Sequence, residues 1–255
     1  MTGASSVRLL SITIGAAPLK NHTEPVYYTP WTRLALALGA RPATLIFVAT
    51  VMWLTRTPDV WMNLAAVPID LLTLHLVHRM MAEEGRRLRD LLWPWHTAHL
   101  AWGLLLGIIV AAAYLPAEYL AAQIAYLGTH KGESTTYPEV PLWLGIWTLT
   151  LMPITVALAE ESLYRAYIQP RVRGHAGTVG AILLASVFYG LQHVSMGIPL
   201  TPDCVHAVLR SFLLGLVYAL IVQWQRRVAP AVVAHWVAAL LGVGMPVLIE
   251  SLGGR

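Results

Sequence analysis

Val140 to Ala159 is an unbroken run of apolar and weakly polar residues without a charge, and it leads straight into Glu160-Glu161-Ser162-Leu163-Tyr164-Arg165. About 20 such residues are what an α-helix needs to cross the ~30 Å hydrocarbon core of a bilayer. A charged side chain in the middle of such a helix costs roughly 2.5–3.5 kcal/mol on insertion scales, so a cluster of them marks a functional site by default. His193 and His235 lie in two later apolar runs and raise the same question. Glu161 and Arg165 are four residues apart, so a helix puts them on one face, with the glutamate first, the better order for an ion pair. Glu160 points about 100° away and on this reading is left free for other work.

The rest of the chain has the same character. It is 57% hydrophobic and 12% charged over 255 residues, where soluble domains hold ~45–50% apolar and ~25% charged residues. The expected fold is all-α, a polytopic transmembrane helix bundle of about seven spans. They are Leu34–Leu54 (interrupted by Arg41-Pro42), Val60–Met81, Thr97–Ala117, a long one from Val140 past Arg165 toward Val172, Ala176–Val194, Val205–Trp224 and Val228–Ile249. The expected organisation is an arm at 1–33, accessory helices at 34–139 and a catalytic core at 140–249, in the last four helices. Arg8 followed by Leu9 to Leu19 loosely resembles a signal peptide, but the apolar stretch is short and no small-x-small cleavage site follows it, so residues 1–33 read as an arm before the first span. Nucleic acid is excluded as a partner, because no Lys/Arg-rich run with interleaved aromatics exists. The single cysteine, Cys204, excludes an intrachain disulfide and any CxxC site.

Basic residues are unevenly divided between the loops. Arg8, Lys20, Arg33, Arg79, Arg86, Arg87, Arg89, Arg171, Arg173, Arg226 and Arg227 fall on one side, against Arg56, Lys131 and Arg255 on the other. The positive-inside rule then expects a multi-pass cell-membrane protein with its N-terminus in the cytoplasm, its C-terminus outside and the turn at Gly174-His175 cytoplasmic. Rise per residue puts Glu160 ~21 Å and His193 ~28 Å from that turn, within a turn or two of one level, whereas His235 lies only ~12 Å from the Arg226-Arg227 turn. The three converge only where helices tilt or break.

Two carboxylates, two imidazoles and a guanidinium suit hydrolysis. A carboxylate or imidazole takes a proton from water, and an imidazole N–H or a positive group stabilises an oxyanion. The same Glu/His set could hold a divalent metal such as zinc, with one position open for water. The residues alone leave both routes open.

The three motifs together resemble the CPBP family, the CAAX-protease and bacteriocin-processing (Abi) enzymes. Glu160-Glu161-Ser162-Leu163-Tyr164-Arg165 matches its EExxxR motif. The run from Ser186 to His193 is similar to its FxxxH motif, with Tyr189 in the Phe place. His235 opens a match to HxxxN, except that Ala239 stands where the family has Asn. The resemblance covers roughly residues 140–245. It implies an intramembrane endopeptidase that acts on a peptide or protein substrate in the lipid bilayer, by CAAX-type prenyl-protein or peptide/bacteriocin processing. In it Glu160 and His193 activate water, Glu161 and Arg165 order the site, and His235 binds the oxyanion or the substrate carbonyl. The loss of the Asn keeps a second reading open, a non-catalytic membrane binding or immunity protein on the same fold. No HExxH or GxGD is present, and no Gly-x-Ser nucleophile lies within a span. A transporter reading, with Asp70, Glu160 and His193 as a relay, lacks the repeat of broken spans it would need. His75, His78 and Asp70 read as a membrane edge and a hydrogen-bonded group, Gly103 and Gly107 as helix packing, and His206 and Arg210 as substrate-contacting or snorkelling residues.

Overall fold

The computed structural model describes residues 29–92, 96–128 and 139–253. The signal-peptide-like run, Arg8, Lys20, Lys131 and Arg255 lie outside them. Every regular element among the described residues is helical. In order they are α1 (Trp31–Leu54), α2 (Met62–Glu83), the short α3 (Arg89–Leu92), α4 (Thr97–Ala125), α5 (Leu142–Glu160), a π-helical segment Glu161–Ile168, α6 (Gln169–Leu191), a 3-10 turn Gln192–Met196, α7 (Pro202–Gln225), α8 (Ala229–Ala239), a second π segment Leu240–Gly244, and α9 (Met245–Gly253).

Among the described residues six helices are long and apolar enough to cross a membrane, and the longest is the continuous run Leu142–Met196. That run doubles back. Gly177 has φ 68° and ψ −179°, a backbone that glycine adopts without a Cβ clash. Side chains from either side of it then meet: the Tyr164 hydroxyl donates to Gln192 Oε1 at 3.1 Å across 28 residues, which straight helix would hold about 42 Å apart. The run therefore supplies two antiparallel segments, and the reversal falls at Gly177, just past the expected Gly174-His175.

Arg41-Pro42 does not interrupt the first span, contrary to expectation. Pro42 sits inside a continuous α1, and Arg41 is buried. Large apolar side chains such as Phe47, Ile108, Leu115 and Val179 face outward, the surface of a bundle whose solvent is lipid. Inside, Leu34, Val77, Met81, Leu163, Tyr167 and Val172 form one core. Gly103 and Gly107 do pack helices: a Cβ on Gly103 would lie 2.4 Å from Val233 Cβ, and one on Gly107 2.9 Å from Val237 Cβ. Two small residues thus let α4 lie close against α8, the helix that carries His235.

One end of the bundle is basic. Arg171 is buried there and pairs with Glu84, its Nε donating to Glu84 Oε1 at 3.1 Å, and Arg33 pairs with Glu83. The turn between α7 and α8 does not reach as far out as Gly177. Arg226 to Ala229 line the same cleft as Ala166 and Gln169, which precede Gly177 by about 12–16 Å of helix. This recess carries His235 down to the level of Glu161 and resolves the mismatch of depths that rise per residue alone gives.

Candidate active site

Glu161 begins the π segment that follows α5, and π turns within α-helices are frequent at functional sites. The wide turn lets both neighbouring carboxylates face α8. His235 Nδ1 donates to Glu161 Oε1 at 2.9 Å, and its Nε2 stands 3.7 Å from Glu160 Oε2. Arg165 donates through Nη1 to the same Glu161 oxygen at 3.1 Å, both side chains being fully enclosed, and through Nη2 to the Gly215 carbonyl at 3.2 Å. Its guanidinium lies 4.3 Å from the Tyr189 ring centroid and 5.2 Å from that of Tyr218. Tyr218 also stacks on His235, centroids 4.7 Å apart and planes 17° from parallel. Two aromatic rings thus fix both a guanidinium and an imidazole, at a favourable cation–π distance. Tyr189 fills the place that the FxxxH motif gives to Phe, and its ring does this packing.

His193 lies in the 3-10 turn after α6. Its Nδ1 donates to the Tyr189 carbonyl at 2.9 Å, which leaves Nε2 as the acceptor of a neutral ring. The ring is half-buried, and its centroid lies 5.4 Å from that of Tyr189, which is itself 6.2 Å from that of His235. The five residues singled out in the sequence therefore share one region. Ala239 lies one turn beyond His235 on α8.

Glu160 is not free, as its position on the helix had implied. Arg41 Nη2 donates to its Oε1 at 2.9 Å, and the same guanidinium pairs with Asp70 at 2.7 Å and donates through Nε to Gln192 Oε1 at 2.9 Å. Asp70 also accepts from the Thr155 hydroxyl at 2.7 Å. Arg41, Asp70 and Gln192 belong to the polar cluster; Asp70 is hydrogen-bonded as expected, whereas Arg41 and Gln192 went unrecognised in the sequence. Arg41 was open to the same argument that singled out Glu160, a charge within an apolar run, but the following proline made it read as a break. Gln192 carries no charge and gave no signal beyond its place beside His193. Of the other residues noted, His75 and His78 are exposed on α2, while Arg210 and His206 both bind Glu118 of α4, at 3.1 and 3.0 Å.

Several atoms in this cluster are buried without a hydrogen-bond partner in the chain, among them Glu160 Oε2, Glu161 Oε2 and Gln192 Nε2. Such atoms are rare in folded proteins and need an explanation. A structural divalent ion is not a fitting one for this arrangement. Among the described residues no group of three or more His, Cys, Asp and Glu side chains is placed to hold a metal. Glu160 Oε1 is taken by Arg41, and Glu161 Oε1 is shared by Arg165 and His235.

Residues 141–241 match the family model described as type II CAAX prenyl endopeptidase Rce1-like. Over this segment, which is less than half of its length, the chain is similar to the Rce1-like CAAX endopeptidases. The family is one of hydrolases, and its matched segment here runs from the start of α5 into the second π segment, taking in Glu160, Glu161, Arg165, His193 and His235. Helices α1 to α4, with Arg41 and Asp70, lie outside it. No curated protein and no solved structure matches the chain.

Proposed function

We propose that this protein hydrolyses a peptide bond within or at the edge of the membrane, with Glu160 as the base that activates water. The observation that carries the proposal is the division of labour between the two Glu160 oxygens. Oε1 is clamped by Arg41, which supplies its counter-charge. Oε2 is buried and without a partner, facing His235 Nε2 across 3.7 Å. That separation is too long for a direct hydrogen bond and suits an oxygen held between the two groups.

Each step has a residue for it. Water donates one proton to Glu160 Oε2 while its second hydrogen is held by the lone pair of His193 Nε2, and its oxygen attacks the peptide carbonyl. Charge develops on the carbonyl oxygen. His235, held through Nδ1–H by Glu161, presents Nε2 to that oxyanion, a step that requires a proton on Nε2. Glu160 then hands its proton to the leaving amine. Arg165 acts through Glu161 as a positioning residue. The donor that Ala239 cannot supply comes from Gln192: Arg41 Nε and the Tyr164 hydroxyl both donate to its Oε1, so its amide NH2 points elsewhere and is unpartnered.

The likeness of residues 141–241 to that family model supports a protein or peptide carrying a prenylated C-terminal CaaX sequence as the substrate, with the basic end of the bundle in the cytoplasm. Purified protein in lipid nanodiscs, given a farnesylated CaaX peptide, tests this. Glu160→Gln keeps size and hydrogen bonding but loses the base, so cleavage falls below detection while the unfolding temperature is kept. Full activity in Glu160→Gln removes the water-activating role. Gln192→Ala is expected to lower kcat by ~10²–10³ with little change in KM. Ala239→Asn alone leaves activity unchanged or raises it, and in the Gln192→Ala background it restores part of the loss. Binding of the peptide without cleavage by either wild type or Ala239→Asn would favour a binding protein on this fold.

A further inference from the structure

The basic end of the bundle contains a cleft of about 200 Å³ that the hydrolytic chemistry does not use. Arg173, Arg226 and Arg227 stand around it, Arg165 and Gln169 line it further in, and Asp90 is its acidic member. Asp90 is already engaged, accepting from the Arg87 backbone N–H at 2.8 Å. Arg165 is balanced by Glu161. Arg226 and Arg227 outweigh Asp90 and leave the mouth of the cleft positive. Two polar atoms of the inner residues are buried and have no partner in the chain: Arg165 Nε, a donor, and Gln169 Oε1, an acceptor. Gln169 has its orientation fixed, because its Nε2 donates to the Ala219 carbonyl at 3.3 Å. A ligand that satisfies both atoms carries an anionic oxygen and a hydroxyl or ammonium hydrogen close together.

We propose that this cleft binds the headgroup of an anionic phospholipid such as phosphatidylglycerol. The phosphate sits among the arginines and reaches Arg165 Nε, a headgroup hydroxyl donates to Gln169 Oε1, and the acyl chains run out along the apolar outer surface. Basic pockets between membrane helices at the interface are suited to such headgroups. The volume is below the ~300–1,000 Å³ of sites for drug-sized ligands, which fits a headgroup. A peptide carboxylate is the less fitting occupant. The cleft shares Arg165 with the catalytic cluster, but Glu160, His193 and His235 do not line it, so a chain anchored there has no open route to the water-activating groups. The bound lipid would steady Arg165, and through it Glu161 and His235, from the far side.

The test reads binding, so it stands apart from the hydrolytic assignment. Delipidated full-length protein in mild detergent is titrated with phosphatidylglycerol, phosphatidylcholine or soluble glycerophosphate, and retained lipid is measured by native mass spectrometry alongside the unfolding temperature. Phosphatidylglycerol is expected to be retained and to raise the unfolding temperature, with the other two inactive. Arg227→Gln and Arg173→Gln should each weaken retention about fivefold, and Arg56→Gln, at the opposite end, should not. Equal retention of the two lipids, or undiminished retention in the Arg173→Gln/Arg227→Gln double variant, overturns the proposal. So does an equal effect of soluble glycerophosphate, which would assign the cleft to a free phosphate. Displacement of phosphatidylglycerol by a CaaX peptide would assign it to the substrate instead.

Discussion

Two arginines hold two neighbouring carboxylates in this bundle, and they do so in opposite ways. Arg165 reaches Glu161 within one helical segment, four residues away. Arg41 reaches Glu160 from α1, across 119 residues of chain, and holds Asp70 of α2 with the same guanidinium. The first pair is built by local geometry as soon as the segment is helical. The second exists only when three helices have packed. With Glu160 as the proposed base and Glu161 as the proposed ordering carboxylate, the base is held only when the N-terminal helices are in place.

Removing Arg41 gives the largest expected effect. Arg41→Ala leaves Asp70 and Glu160 both buried without their counter-charge, and breaking a buried pair by deleting one partner costs ~3–5 kcal/mol. The loss should be at the upper end of that range, with activity abolished, as read by thermal unfolding in nanodiscs and by peptide cleavage. Arg165→Ala should come next, nearer ~3 kcal/mol, because His235 Nδ1 still donates to Glu161. A larger loss for Arg165→Ala than for Arg41→Ala would reverse the comparison. Gly103→Val separates the two networks more finely. Its side chain collides with Val233 and pushes α8 away, at ~1–3 kcal/mol for an overpacked contact. It should displace His235 from Glu161 while leaving Arg41 with Glu160. Expression and fold are therefore retained, and activity drops. A Gly103→Val protein of unchanged activity would mean that the seat of α8 does not govern His235.

The same contrast accounts for what was legible beforehand. Spans could be read because lipid demands long apolar helices, and Glu160, Glu161, Arg165, His193 and His235 stood out because each is costly in such surroundings. Arg41 carried an equal cost, but Arg-Pro imitates a break in the helix. Nothing local in Gln192 or Tyr218 announces that one would meet Arg41 and the other stack on an imidazole. The recess of the α7–α8 turn, which sets the depth of His235, depends on how far each hairpin projects. No single segment encodes that.

The contact of Gly103 and Gly107 with Val233 and Val237 has a consequence for how this protein can be rebuilt. The matched segment, 141–241, carries every motif residue, yet it is not a portable cassette. The height and tilt of α8 are set by two missing side chains on a helix outside that segment. A chimera that joins this segment to a different N-terminal half will keep all of its motif residues. It will work only if the new partner helix presents small residues at the same two positions and an arginine at the place of Arg41.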